Sequence, residues 1–146
     1  MASRLALLVL AVAVSGGLPA CDTVDLGTQP VGINRCRPDR AFFAERIWPQ
    51  FLDKDFGGKR CTDARCHDAS SGRQMILIRP TSAPTLPFAM DWEAVYKSVT
   101  NQMQCASVLE SDLVSRPDGR RTHGGGKLID PNGPEVQLVL QWVTPK

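Results

Sequence analysis

The chain has 146 residues, which is enough for one domain, and 42% of them are hydrophobic. Lysine and arginine number 17 against 15 acidic residues, so the near-neutral charge excludes a strongly basic nucleic-acid-binding surface. Beyond the N-terminal segment, no apolar run is long enough to span a bilayer. These features predict one small domain without a nucleic-acid partner.

The first twenty residues are predicted to be an export signal. Arg4 supplies one positive charge, and residues 5–14 form an uninterrupted apolar run that is too short for a membrane anchor. The run leads into Leu18-Pro19-Ala20-Cys21, which looks like a bacterial lipobox, where small residues precede a cysteine that is diacylated. Residues 1–20 are therefore expected to be a lipoprotein signal peptide. The alternative is ordinary cleavage after Ala20, which leaves Cys21 as a free thiol.

Acylation of Cys21 would anchor the mature protein to a membrane. We therefore expect a lipid-anchored protein of the cell envelope, facing the periplasm or the cell surface. Residues 21–37 contain few large apolar side chains and are expected to be the lipidated cysteine and a tether. The folded domain is expected to cover residues 38–146.

The domain is expected to begin with a helix capped by Asp39. Its apolar residues recur at helical spacing: Phe43, Ile47 and Phe51. Pro49 lacks an N–H group, so we expect either a kink at Trp48 or two short helices, the second opened by Pro49. The glycines at 57–58 are expected to stop the helix.

The rest of the domain predicts short helices joined by irregular segments. Residues 75–78 form an apolar run expected to be a strand or an extended segment, and Asp91 is expected to cap a second helix. A short helix over residues 107–114 and a last helix from Pro134 follow. The second helix has one apolar face, formed by Trp92, Val95, Tyr96, Val99 and Met103. The fold class predicted is mostly α, with long irregular loops.

The run Cys61-Thr62-Asp63-Ala64-Arg65-Cys66-His67 carries the clearest chemistry in the chain. A C-x-x-C-H run attaches c-type haem, because both cysteines form thioethers to the porphyrin and the adjacent histidine ligates iron. The loop here is longer, C-x4-C-H, but the Cys66–His67 adjacency is kept. The alternative is a small disulfide loop with an incidental histidine.

His123 is the only other histidine, and it heads the run His123-Gly124-Gly125-Gly126. Two histidines suggest two axial ligands for one iron, and glycines let the main chain approach a flat ring closely. The alternative for His123 is a surface position in a mobile loop. The sixth ligand would then be one of the available methionines: Met75, Met90 or Met103.

Export also bears on the remaining cysteines, since thiols outside the cytoplasm are expected to be oxidised, ligated or covalently used. With Cys21 assigned to lipid and Cys61 and Cys66 to the porphyrin, Cys36 and Cys105 remain as a pair. We expect them to form a disulfide, which contributes about 4 kcal/mol in the chain-entropy model.

The order of these motifs resembles that of a cytochrome c-like domain, and more narrowly that of predicted bacterial surface lipoproteins with C-x4-C-H and a later H-G-G-G. The segments that carry the resemblance are Phe43-x3-Ile47-x-Pro49, Cys61–His67, residues 110–117, His123–Gly126 and residues 140–143. The resemblance implies N- and C-terminal helices that cross beside one covalent haem c. It implies electron exchange with a redox partner protein, not an enzyme. The methionine motif of many cytochromes c is missing, so the resemblance leaves the sixth ligand open. We expect His123 to be the distal ligand because of the glycines that follow it.

Two alternatives stay open. The first is a haem-free lipoprotein with a binding or structural role, held by Cys61–Cys66 and Cys36–Cys105 disulfides. The second is a zinc site, whose donors would be Cys61, Cys66, His67 and His123. The adjacency of Cys66 and His67 strains a single tetrahedron and counts against zinc.

Overall fold

The computed structural model describes residues 38–144, and within this range all regular secondary structure is helical. The prediction of a small, mostly α domain is confirmed. The expected signal peptide (1–20), the lipidation site Cys21 and the tether (21–37) lie outside the described residues. The elements are α1 (Arg40–Phe42), a π-helix (Phe43–Leu52), α2 (Met90–Thr100), a 3₁₀-helix (Cys105–Glu110), α3 (Asp112–Ser115) and α4 (Pro134–Val143).

The first helix runs through Pro49 without the expected kink or break. Asp39 caps it as predicted, since its carboxylate accepts a hydrogen bond from Phe42 N at 2.6 Å. The chain then widens into the π-helix, where Asp53 N donates to Trp48 O at 2.8 Å. A proline ring in an α-helix collides with the carbonyl four residues earlier, and the wider π-helical turn avoids that collision.

Gly57 and Gly58 do not stop this helix, which ends earlier, at Leu52. Both glycines have positive φ values, +69° and +86°, and they turn the chain on its way to Cys61. The predicted helix end was too late, because the two glycines belong to the turn that follows the helix and not to its C-terminus.

Asp91 is not the cap of α2, which begins at Met90 with Ala89 as its N-cap. The Asp91 carboxylate accepts hydrogen bonds from the Ser82 hydroxyl and from the backbone N–H groups of Ser82 (2.9 Å) and Thr81 (2.8 Å). These bonds hold the pKa of Asp91 well below its usual range. Asp91 therefore fixes the preceding loop to the first turn of α2.

One apolar cluster forms the core, with Phe43 fully buried inside it. Four residues of the predicted apolar face, Trp92, Val95, Tyr96 and Val99, lie on α2 and are buried. The fifth, Met103, is also buried but lies beyond the end of α2 at Thr100. Four aromatic rings surround Phe43 at centroid distances of 5.4–6.4 Å: Trp48, Trp92, Tyr96 and Trp142. No helix within residues 38–144 combines the length and the apolar character needed to cross a bilayer.

The first and last helices pack against each other in opposite directions. Trp142 Nε1, near the end of α4, donates to Asp39 O at 2.8 Å, just before α1. Lys54, just after the π-helix, forms an ion pair with Glu135 in the first turn of α4. The helices thus form one layer of the core, and the long segments 53–89 and 116–133 carry the predicted site residues.

Candidate functional site

The loop from Cys61 to Cys66 consists of two hydrogen-bonded turns. Asp63 N donates to Arg60 O at 3.2 Å, and the Asp63 carboxylate accepts from Arg60 N at 2.7 Å. Cys66 N donates to Asp63 O at 2.9 Å. Arg65 has a φ of +73°, which reverses the chain directly ahead of Cys66. The residues that lengthen the motif are therefore held in a defined conformation.

Cys61 and Cys66 are free thiols. Cys61 is 7% exposed, and its burial raises the pKa of the thiol to about 12, so it stays protonated near neutral pH. Cys66 is partly exposed. The Cys61–Cys66 disulfide required by the haem-free alternative is not formed in this structure.

Cys105 is disulfide-bonded. Its expected partner, Cys36, lies outside the described residues. The Cys36–Cys105 pairing therefore stays a prediction.

His67 is half-buried, and its Nδ1 lies 2.9 Å from Met75 O. A carbonyl oxygen only accepts hydrogen bonds, so Nδ1 carries the proton and Nε2 of the neutral ring keeps its lone pair. Leu77 N donates back to His67 O at 2.6 Å, which holds residues 75–78 alongside the histidine as an extended segment without strand pairing. Burial lowers the pKa of His67 and favours the neutral ring.

His123 makes the same kind of hydrogen bond inside its glycine run. Its Nδ1 lies 3.0 Å from Gly126 O, so Nε2 is again the nitrogen left for a ligand. Gly126 has a φ of +74°, a conformation that favours glycine. A Cβ on Gly125 would lie 3.1 Å from His123 Cε1, so the absence of a side chain leaves room for the ring. These two glycines therefore shape the position of His123.

The structure brings the His67 and His123 rings together, with centroids 6.1 Å apart and planes 18° from parallel. A metal bonded to two opposite imidazole nitrogens at about 2 Å each places the ring centres about 6 Å apart. An ordinary contact between aromatic rings covers the same distances. The hydrogen bonds on both Nδ1 atoms are the more specific feature, because metal-ligating histidines typically donate their other N–H to a carbonyl or carboxylate.

The methionines considered as alternative ligands are placed differently. Met103 is 6% exposed within the helical core, and Met90 is 90% exposed at the start of α2. Met75 is partly buried, and its backbone carbonyl accepts a hydrogen bond from His67 Nδ1. His123 is therefore the candidate ligand whose ring the structure places beside His67.

A zinc site gains no support from the geometry. Within residues 38–144, no group of three or more histidine, cysteine, aspartate or glutamate side chains is arranged to hold a metal ion. Zinc needs four ligands, whereas a haem iron is held in the porphyrin and takes only axial ligands from the protein. The pair of imidazoles together with two free thiols is the donor set that covalent haem requires.

Two basic residues near the histidines were not singled out from the sequence. Lys59 Nζ donates to Gly125 O at 3.4 Å. Arg73 Nη2 lies 3.6 Å from the position that a Cβ on Gly124 would take. Their only sequence signal is a location in the segments that flank Cys61 and His67, and nothing in that pattern points to the glycine run.

A comparison with protein-family models, with curated proteins and with solved structures finds no match to this chain.

Proposed function

We propose that this chain is a lipid-anchored electron-transfer protein of the bacterial cell envelope, with one covalent haem c in a cytochrome c-like domain. The observation that carries the proposal is the pairing of His67 with His123, in which each Nδ1 donates to a main-chain carbonyl and leaves Nε2 for iron. The free thiols of Cys61 and Cys66, adjacent to His67, support covalent attachment.

In this proposal each residue has a distinct role. Cys61 and Cys66 would hold the porphyrin through thioethers, and His67 and His123 would ligate the iron. The haem supplies an iron that exchanges one electron. The buried environment keeps His67 neutral, which suits a ligand that stays bound in both oxidation states.

The hydrogen bonds to the histidines affect the expected reduction potential. The carbonyls of Met75 and Gly126 fix the ring orientations and raise the basicity of the ligating nitrogens. Two imidazole ligands also favour a lower potential than an imidazole with a thioether, since the methionine sulfur is the ligand that raises it. We therefore propose a low-potential carrier that exchanges electrons with an unidentified redox partner protein.

The fold and cellular location belong to the same proposal. The contact between the first helix and α4, made through Trp142 and Asp39, brings the two terminal helices of the domain together, as a cytochrome c-like arrangement requires. Acylation at Cys21 would attach the domain to a membrane through the tether 21–37. Because both histidines would be bound to the iron, the proposed role is electron transfer and not catalysis.

Acid–acetone extraction of pigment tests the attachment. The full chain and its Cys61→Ala, Cys66→Ala and double variants are produced in a bacterium that makes c-type cytochromes. Wild type and the single variants should retain pigment, because one thioether suffices, and only the double variant should release it. Met90→Leu, an exposed substitution, is the control and should behave as wild type. Extractable pigment in wild type would refute covalent attachment at these cysteines.

A further inference from the structure

Most basic side chains within residues 38–144 form an ion pair with a carboxylate that also belongs to residues 38–144. The paired ones are Arg40, Lys54, Arg60, Arg79, Lys97, Arg116, Arg120 and Arg121. Lys59 and Arg73 have no such partner within this range, although both are exposed on segments that carry aspartates. Their charges are therefore left for another anion.

Lys59 and Arg73 reach the same loop from two different segments. Lys59 Nζ donates to Gly125 O at 3.4 Å, a long bond that leaves two of the three ammonium N–H groups for other acceptors. Arg73 Nη2 lies beside Gly124, 3.6 Å from the position that a Cβ atom would take on this glycine. Two cations thus flank the loop that begins at His123.

Like charges that converge on one loop repel each other, and an anion placed between them removes that cost. Arginine offers a planar fork that suits a carboxylate, and lysine offers a point charge. Protoporphyrin carries two propionate carboxylates on one edge of the ring, and the axial ligands proposed above would bring that ring against this loop.

We propose that Lys59 and Arg73 are the cations that bind the propionate carboxylates of the porphyrin. The inference rests on the proposed function, because it assumes that the ligand of the histidine pair is a porphyrin. It adds a site for the anionic edge of the ligand, made by residues that touch neither iron nor thioether.

Non-covalent binding provides the test, since it needs no attachment machinery. The full chain with Cys61→Ala and Cys66→Ala is the background, into which Lys59→Gln, Arg73→Gln or both are introduced. Each protein is titrated in the same dilute detergent with iron protoporphyrin IX and with its dimethyl ester, which lacks the negative charges. Arg46→Gln is the matched control, because Arg46 is also exposed without a carboxylate partner within residues 38–144 but lies on the π-helix.

Each single substitution should weaken binding of the free dicarboxylate about tenfold, as expected for loss of one charge-assisted hydrogen bond. Binding of the ester should be the same in all variants, and Arg46→Gln should change the affinity for neither porphyrin.

Dicarboxylate binding that is unaffected by Lys59→Gln and Arg73→Gln, with an unchanged bis-imidazole spectrum, would overturn the inference alone. Equal weakening for both porphyrins would mean that the substitutions disturb the loop, which also overturns it. A background protein that binds neither porphyrin would overturn the inference, while the proposed function is tested separately by the acid–acetone extraction of the wild type.

Discussion

The imidazole rings of His67 and His123 lie 6.1 Å apart between centroids, with planes 18° from parallel, although they belong to two separate loops. The two loops are fixed by main-chain bonds, since Leu77 N donates to His67 O at 2.6 Å and Leu128 N donates to Pro117 O at 2.7 Å. The pairing therefore rests on backbone geometry that continues into the helical core.

Replacing His123 by Ala should convert a six-coordinate low-spin haem to a high-spin species, because the distal ligand is lost. The change is read from the visible absorption spectrum or by electron paramagnetic resonance. Met75→Leu and Met90→Leu serve as controls and should leave the spectrum unchanged, since neither thioether is a proposed ligand. A low-spin spectrum retained in His123→Ala would remove this histidine from the iron.

The glycine run should respond unevenly to alanine substitution. Gly126→Ala should lower the free energy of unfolding by about 1 kcal/mol, because a non-glycine residue at φ +74° is strained. Gly125→Ala should displace the His123 ring, since its Cβ would meet Cε1 at 3.1 Å. Gly124→Ala is the control, as its Cβ makes only an ordinary contact with Arg73.

Urea unfolding gives the stabilities of these three variants, and the low-spin fraction reports the position of His123. Equal effects at all three glycines would contradict the geometry described for the loop.

The stability of variants at position 65 should depend more on the backbone conformation that the new side chain tolerates than on the loss of the arginine charge. Its φ of +73° is costly for a β-branched residue, so Arg65→Val should lower the free energy of unfolding by about 1 kcal/mol or more. Arg65→Asn removes the charge as well but tolerates this conformation, and it should remain close to wild type. The comparison uses chemical denaturation; similar losses in both variants would mean that charge matters more than conformation.

The ion pair between Arg40 and Glu93 should make stability depend on pH. Arg40 Nη2 and Nε donate to the Glu93 carboxylate at 2.9 and 3.2 Å, and this guanidinium lowers the pKa of Glu93. A carboxylate whose folded-state pKa is depressed adds stability above its ordinary pKa of about 4.3 and loses it as the pH falls through the folded value. Glu93→Gln should therefore cost about 0.5 kcal/mol at pH 7.

The difference between Glu93→Gln and wild type should shrink towards zero as the pH is lowered from about 5 to 3. Urea unfolding of the haem-free protein at several pH values measures it. Glu45→Gln, at an exposed position of the π-helix, is the control. A cost for Glu93→Gln that stays constant over this pH range would contradict the assignment.

The sequence was sufficient to predict the helical class and the apolar face of α2, because burial imposes a period that survives in the residue pattern. It did not predict how the chain accommodates Pro49, since proline marks an interrupted hydrogen-bond ladder but does not say whether the helix breaks or widens. Asp91 was misassigned for a related reason. A carboxylate near a helix start can cap the helix or bind the preceding loop, and only tertiary structure decides which.

In the candidate site, the sequence identified the side chains but not the main-chain groups that bind them. Cys61, Cys66 and His67 were singled out by their spacing, and His123 was singled out as the only other histidine, at the head of a glycine run. The carbonyls of Met75 and Gly126 could not be found, since every residue carries a carbonyl and only the fold selects the acceptor. Lys59 and Arg73 were missed because surface cations are common and their convergence on one loop is a property of tertiary structure.

The most direct test of the central proposal is the intact mass and visible spectrum of the protein purified from its own host's envelope. The proposal predicts a mass raised by one haem, with a Soret band and sharp reduced α and β bands that survive denaturation. A colourless protein whose mass shows no added haem would contradict it, because His67 and His123 would then have no iron to ligate.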